Sequence, residues 1–179
     1  MQRVVLTGGP GAGKTAVLQA LAAEGYATRD DAPRSIIRER KDAGLSPRPD
    51  ELSFAEEIFL REVDAYHATS KSPTFFERGV VDAAGFLLSA GGLDDDEVAR
   101  LIAGYPYEEI FIFPPWEDIY CTDEERDQTF EHALAVYEST FSLYQRVGYH
   151  PIEVPLLSVT DRTRFVLDTL AAKHGSPTG

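Results

Sequence analysis

The feature that most constrains the fold of this chain is a glycine-rich segment near its N-terminus, Gly8 to Thr15, which reads Gly-Gly-Pro-Gly-Ala-Gly-Lys-Thr. The segment matches the spacing G-x-x-x-x-G-K-[ST] of a loop that binds phosphate groups. Its glycines let the backbone turn tightly and approach a phosphate without an intervening Cβ, so that N–H groups can surround the anion. It follows an apolar run, Arg3 to Thr7, and precedes a stretch rich in helix formers. This context predicts a strand, a phosphate-binding loop and a helix whose N-terminus faces the anion.

Each position of this loop has a chemical task in that interpretation. Lys14 brings a mobile charge to the β- and γ-phosphates of a nucleoside triphosphate, and the hydroxyl of Thr15 ligates Mg²⁺. The residues predicted to bind the nucleotide are Gly9, Gly11, Ala12, Gly13, Lys14, Thr15 and Ala16. The alternative is a glycine turn that begins a helix and binds nothing.

Apolar runs and helix-forming stretches alternate along the chain, which predicts a parallel sheet covered by helices on both faces. Strands are expected at residues 3–7, 26–29, 74–76, 109–113 and 152–154. Helices are expected at residues 16–23, 33–43, 53–69, 80–89, 94–103 and from about 158 to 173. Ligands bind such sheets at the carboxyl ends of the strands, so the residues that follow strands are the first candidates for a site.

Two capping-box sequences predict where further helices begin. Ser53 to Glu56 is expected to open one helix, and Thr122 to Glu125 is expected to open another. The second helix carries one predicted core-facing stripe with spacings of four and three residues, namely Phe130, Leu134, Tyr137, Phe141 and Tyr144.

Asp30 and Asp31 follow the second predicted strand. A carboxylate at this position could accept a proton from an acceptor hydroxyl, or it could hold a water molecule on Mg²⁺. Arg34 lies one helical turn later and could clamp an anionic group of a substrate. The alternative is that the carboxylate caps the helix that begins near Pro33, and the two roles can coexist.

The third predicted strand ends in Glu77 and Arg78. An apolar strand that ends in an acid is the Walker B pattern, and such a carboxylate reaches Mg²⁺ through water. Arg78 could contact a substrate or a phosphate with two parallel hydrogen bonds. The alternative is a Glu–Arg pair at a strand end. Asp82, one turn further on, is a weaker candidate.

The segment after the fourth predicted strand could form a lid over the nucleotide. Arg126 in this segment could swing onto the transferring phosphate, or it could be a surface arginine among acidic neighbours. Trp116 could stack on a base, although packing in the core or in the lid is the simpler explanation. Residues 155–159, after the fifth strand, could border the base of the nucleotide.

Composition excludes several other classes of protein. There are 30 acidic residues against 17 Lys and Arg, and the net charge of −13 argues against a nucleic-acid partner. The apolar runs are shorter than the ~20 residues of a membrane span, and no signal peptide is recognisable. Cys121 is the only cysteine and the four histidines are scattered, so no zinc site is expected. We therefore expect a cytoplasmic protein without a membrane partner.

These motifs together resemble the bacterial AAA-type predicted ATPases, a family built like small P-loop kinases such as thymidylate and deoxynucleoside kinases. The resemblance rests on T-G-G-P-G-A-G-K-T, on the acid and arginine after strand two, on F-F-E-R-G-V-V-D and on P-P-W-E-D-I-Y-C-T-D-E-E-R. It covers about residues 2–170. This chain departs from its relatives in having Glu77 where many have Asp, and Pro33 where a small residue is usual.

The length of the chain suits a single domain, residues 1–179, and the resemblance implies the three-layer P-loop NTPase fold. It implies a parallel five-stranded sheet with helices on both faces and a lid, about residues 114–130, after strand four. It also implies ATP or GTP with Mg²⁺ bound through Thr15 and Glu77. The acceptor pocket is implied to lie near Asp31, Arg34 and Arg78.

Three functions are compatible with these residues. The first is a kinase that moves the γ-phosphoryl group of ATP to a small molecule, with Lys14, Asp31 and Arg126 as the catalytic residues. The second is a nucleotide-dependent switch that hydrolyses ATP or GTP and acts on a protein partner. The third is a binding module without turnover, which the intact Lys14 and Thr15 disfavour.

Overall fold

The computed structural model of the chain describes residues 2–69, 71–119 and 129–174. Its strands are β1 (Arg3–Gly8), β2 (Ala27–Arg29), β3 (Thr74–Glu77), β4 (Glu109–Phe113) and β5 (Ile152–Glu153). Its α-helices are α1 (Lys14–Ala23), α2 (Ala32–Asp42), α3 (Glu51–His67), α4 (Val80–Ser89), α5 (Asp95–Ile102), α6 (Phe130–Arg146) and α7 (Val159–His174). A single 3₁₀ turn, Glu117–Ile119, follows β4 in these ranges.

The five strands form one parallel sheet in the order β2-β3-β1-β4-β5, as the alternating pattern predicts. β1 lies in the middle of the sheet, between β3 and β4. Leu6 is in register with Glu77, and Gly8 is in register with Phe113. The glycine-rich loop and the end of β3 therefore meet at the same edge of the sheet, which is where ligands of such sheets bind.

The sheet is buried on both faces, which explains why its strands are continuous apolar runs. Phe75 and Phe111 belong to the cluster that packs against α1 and α7. Their chain neighbours Phe76 and Ile110 belong to the cluster that packs against α4, α5 and α6. All four side chains are at most 1% exposed, and burial of each stabilises the fold by ~1.5–3 kcal/mol. The three-layer architecture with helices on both faces is confirmed.

The predicted N-cap of α3, Ser53, is wrong by three residues. Helix α3 begins at Glu51, and Asp50 is its N-cap, with a carboxylate that accepts a hydrogen bond of 3.0 Å from the backbone N–H of Ser53. An aspartate in extended conformation satisfies a free N–H of the first turn as well as the predicted serine would. The first helix also starts earlier than predicted, at Lys14, so the end of the glycine-rich loop is already helical.

Helix α6 differs from its predicted start and its predicted core face. Thr129 is its N-cap, and the predicted capping box at 122–125 lies outside the described residues. The most buried positions of α6 include Ala133 and Tyr144, whereas Leu134 is 39% exposed. Among the described residues, no helix has the length and apolar character that a membrane crossing requires.

Candidate functional site

The glycine-rich loop joins β1 to α1 and is shaped by glycines in left-handed conformation. Gly8 has φ +126° and lies so close to the backbone of Phe113 that a Cβ would collide with the carbonyl oxygen of that residue. Gly13, with φ +84°, is the N-cap of α1. Only glycine adopts these angles without strain. The loop therefore ends at a helix N-terminus, where the free N–H groups and the helix dipole favour an anion.

The side chain of Lys14 folds back over this loop. Its Nζ donates hydrogen bonds to the carbonyl oxygens of Gly8 (3.2 Å) and Gly9 (2.8 Å). Burial, and to a smaller extent the nearby Arg78 guanidinium, lower the pKa of Lys14 from 10.5 to about 8. Because burial removes water from the ammonium of Lys14, an anion that enters the site would stabilise its charged form.

The hydroxyl of Thr15 and the carboxylate of Glu77 are in direct contact. Thr15 Oγ1 donates a hydrogen bond of 2.8 Å to Glu77 Oε1, which brings together the two residues predicted to bind Mg²⁺. Hydroxyl and carboxylate oxygens are suitable ligands for this ion, which usually keeps several waters and binds substrate phosphates. The described ranges hold no group of three or more His, Cys, Asp or Glu that could bind a metal. The donor set thus fits Mg²⁺ shared with a nucleotide, and its binding here stays a prediction.

Asp31 faces the loop from the end of β2. It occupies the N-cap position of α2, but its side chain makes no capping hydrogen bond, so the capping alternative is wrong. Its carboxylate is instead 3.5 Å from Nε of Arg78 and 3.7 Å from Nε of Arg34. Burial raises the pKa of Asp31, and the opposing effect of Arg78 is smaller. A carboxylate whose pKa is shifted towards neutrality is suited to accept a proton.

Arg78 adopts a backbone conformation that disfavours side chains, with φ +69°. Such a position costs about 1–2 kcal/mol for a residue other than glycine. Its guanidinium forms salt bridges with Asp31 and, at 3.5 Å from Nη1 to Oδ1, with Asp82. Arg78 is therefore held between two carboxylates, and its ion pairs do not go to Glu77 as the strand-end alternative requires.

The buried carboxylate of Asp82 holds the guanidinium of Arg78 in place. From the sequence alone, Asp82 was a weaker candidate for the site than Glu77 or Arg78. Its carboxylate accepts hydrogen bonds from the backbone N–H of Gly79 (3.0 Å), the hydroxyl of Tyr144 (2.7 Å) and the hydroxyl of Thr7. These contacts join β1, α4 and α6 at one point. The only local signal was the position of Asp82 four residues after Arg78, in the first turn of a helix.

Glu62 is a second buried acid, and no pattern in the sequence indicates its burial near the site. It lies in the middle of α3, is 3% exposed, and has one carboxylate oxygen, Oε1, without a hydrogen-bond partner. Burial, together with the smaller effects of Asp82 and Asp31, raises its pKa from 4.5 to about 8, although a hydrogen bond from the backbone N–H of Ala32 acts in the opposite direction. Glu62 therefore carries a proton at neutral pH, next to the turn that presents Asp31.

Replacing Glu62 with glutamine is expected to change the pH dependence of stability. The pKa of the acid is about 8 in the folded chain and near 4.5 in the unfolded chain. Its stabilising contribution is complete below pH 4.5 and is lost as the pH rises through 8. Relative to Glu62→Gln, the wild-type free energy of unfolding should therefore fall by a few kcal/mol over this interval, at about 1.4 kcal/mol per unit of pKa.

Urea unfolding at pH 5, 6, 7 and 8 would measure this difference. Glu56→Gln, at an exposed position of the same helix, is the matched control and should give a difference that is independent of pH. Parallel pH profiles for wild type and Glu62→Gln would contradict the assignment of a neutral acid.

Most of the predicted site residues line one cavity of about 690 Å³. Its phosphate end is lined by Gly11, Ala12, Gly13, Lys14, Thr15 and Ala16, and its other polar groups include Asp31, Arg34, Glu77 and Arg78. The lining also includes a set of apolar residues, namely Pro33, Ile37, Phe54, Ala55, Ile58 and Phe86. Gly9 does not line the cavity and lies against the carbonyl oxygen of Ala133.

Three predictions from the sequence concern residues that are not found among the described residues lining this cavity. Arg126 lies outside the described residues. Trp116 is not among the lining side chains, and its indole Nε1 donates a hydrogen bond of 3.1 Å to Asp118. Residues 155–159 do not line the cavity either. Contacts with the base of a nucleotide therefore stay predictions.

Comparison with known proteins gives one family match. The family model described as AAA domain matches residues 3–162, which is most of the chain. No curated protein matches the sequence.

Solved structures show the same fold at low sequence identity. Deoxyadenosine kinase from M. mycoides, in a structure with dCMP and dCDP, has a TM-score of 0.64 at 13% identity, covering 96% of this chain and 100% of that one. NadR protein in complex with NR has a TM-score of 0.73 at 14% identity, covering 99% of this chain and 53% of that one. Shikimate kinase from Aquifex aeolicus vf5 has a TM-score of 0.59 at 16% identity, covering 98% of this chain and 100% of that one.

Proposed function

Because the chain belongs to the AAA domain family, we propose that it is an ATP-binding phosphotransferase that moves the γ-phosphoryl group to a small-molecule acceptor. One observation carries this proposal. The glycine-rich loop and the carboxylate of Asp31 line the same cavity of about 690 Å³. The kinases named above share the fold and support this class of reaction.

The donor nucleotide is proposed to bind along the glycine-rich loop. The N–H groups at the start of α1 and the ammonium of Lys14 hold its phosphates, so that Lys14 exchanges two carbonyl oxygens for phosphate oxygens. Thr15 and Glu77 are the proposed Mg²⁺ ligands. When bound, the ion would neutralise charge on the phosphate oxygens.

The acceptor is proposed to bind between Asp31 and the apolar side chains that line the cavity. Asp31 takes the proton of the acceptor hydroxyl while the acceptor oxygen forms a bond to the γ-phosphorus, and the bond from that phosphorus to the β–γ bridging oxygen breaks. ADP leaves with the electron pair of the broken bond. Arg78 and Arg34 orient the acceptor, and Arg126 is proposed to stabilise the charge on the transferring group.

The walls of the cavity favour a ring-containing acceptor. Phe54 and Phe86 are aromatic, and Ile37 and Ile58 add further apolar surface, which suits a planar ring that is buried on its faces. Arg48 and Glu51 supply polar groups elsewhere in the lining. A nucleoside or a nucleotide-like molecule has this combination of a ring and polar groups. The names of two relatives, deoxyadenosine kinase and the NR complex of NadR, agree with this class.

A transfer assay tests the proposal directly. The full chain would be incubated with Mg²⁺, γ-labelled ATP and panels of nucleosides, nucleotides and aminoglycosides, and label in the acceptor would be measured. We expect transfer to a ring-containing acceptor. ATP hydrolysis without any labelled acceptor would contradict the kinase and favour the nucleotide-dependent switch, which predicts a protein partner that is recovered only with a nonhydrolysable analogue.

A further inference from the structure

We propose that Arg162 of α7 is a positioning residue for the glycine-rich loop, and that its charge, unpaired within the described residues, strengthens the binding of a polyphosphate on the opposite side of that loop. This inference rests on the proposed nucleotide binding. It adds a residue that lies more than 140 positions from the phosphate-binding motif and outside every motif of the sequence.

Arg162 contacts the glycine-rich loop on its outer side, which is the side away from the cavity. Its side chain is 4% exposed, and Nη1 donates a hydrogen bond of 3.0 Å to the carbonyl oxygen of Ala12. The guanidinium also lies against Gly13, where a Cβ would come within 2.6 Å of Nη1. A carbonyl that is fixed on the outside helps to direct the following amides inwards. Gly13 therefore has a second task, because any side chain there would displace Arg162.

The charge of Arg162 has no counter-ion in the described ranges. No carboxylate there lies within salt-bridge distance of its guanidinium, and its buried Nε has no hydrogen-bond partner. Its neighbours include the rings of Trp116 and Phe113, whose centroids are 5.5 and 6.0 Å from Cζ. Burial lowers the pKa of Arg162, which reflects loss of water around the cation.

A buried cation without a counter-ion destabilises a fold, and an anion bound nearby would offset part of that cost. The loop itself selects a polyphosphate at this position through its amides and the dipole of α1. With the nucleotide bound, the guanidinium of Arg162 and the ammonium of Lys14 lie on opposite sides of the same loop. The attraction between the guanidinium of Arg162 and the phosphates is screened only weakly in surroundings that exclude water, so it acts across the loop.

This arrangement predicts opposite effects on stability and on binding. Without ligand, Arg162→Met should leave the free energy of unfolding unchanged or increase it, because the variant removes a buried charge and keeps a side chain of similar length. With ligand, the same variant should bind ATP and inorganic tripolyphosphate roughly 10- to 100-fold more weakly, the range for loss of an interaction with a charged group.

Two further variants separate the charge from the hydrogen bond to Ala12. Arg162→Lys keeps the charge and should retain most of the affinity. Arg162→Gln keeps a donor for the Ala12 carbonyl without the charge and should bind more tightly than Arg162→Met but clearly more weakly than wild type. Arg164→Met, at an exposed position two residues away, is the matched control and should change neither property.

Calorimetry with ATP–Mg²⁺ and with tripolyphosphate, together with urea unfolding of the ligand-free chain, gives both measurements. Equal affinities of wild type and Arg162→Met would overturn the inference, as would wild-type affinity in Arg162→Gln. If wild type itself binds neither ATP nor tripolyphosphate, the proposed nucleotide binding fails first, and the role of Arg162 fails with it.

Discussion

Replacing Lys14 with methionine is expected to reduce the rate of phosphoryl transfer by about 10³-fold or more, the scale on which loss of one preorganised charge acts. In our proposal Lys14 follows the charge that develops on the β- and γ-phosphates, and no other ammonium lines the described cavity. The effect should appear mainly in kcat, measured with saturating ATP–Mg²⁺ and the acceptor identified by the transfer assay.

The same variant should fold normally. Lys14 is buried, and that burial lowers its pKa. Replacing it therefore removes the free-energy cost of a buried charge and breaks no contact of the hydrophobic core. Lys41→Met, at an exposed position of α2, is the matched control and should retain full activity. A folded Lys14→Met chain that transfers phosphate at the wild-type rate would show that the loop is not the catalytic centre.

Replacing Asp31 with asparagine is expected to reduce kcat by roughly 10²- to 10⁴-fold, the range that a positioned general base supplies. The pH profile gives a second readout. Because the carboxylate must be ionised to accept a proton, the wild-type rate should rise with pH through the raised pKa of Asp31. The residual rate of Asp31→Asn should lack this acid limb.

Asp30→Asn is the control for this experiment, because the neighbouring acid is exposed and does not line the cavity. It should keep both the rate and the acid limb. If Asp31→Asn binds ATP normally and transfers phosphate at the wild-type rate, Asp31 is not the base. A loss of ATP binding alone would indicate that it supports the nucleotide site instead.

Local patterns were sufficient to predict the sheet and most of the polar groups in the cavity. The glycine spacing, the apolar strand before Glu77 and the acid after β2 each report on neighbours within a few residues. The contact between Thr15 and Glu77 was also predictable, because carboxyl ends of parallel strands share one edge of a sheet.

The contacts that hold these groups in place could not be read from the sequence. Tyr144 reaches Asp82 across 62 residues, and Arg162 reaches Ala12 across 150. Glu62 resembles any other acid in a helix rich in acids. The start of α3 was predicted wrongly for a different reason. Asp50 and Ser53 are both good N-cap residues, and only the path of the chain in the folded protein selects one of them.

The central place of β1 has a consequence for how the site comes into being. Its two partners in the sheet, β3 and β4, lie about 70 and 105 positions downstream, as the pairs Leu6 with Glu77 and Gly8 with Phe113 show. An emerging nascent chain has the complete motif long before either neighbour has been synthesised. An N-terminal fragment that stops before β3 would therefore contain the motif without its geometry, and phosphate recognition is a property of the assembled sheet.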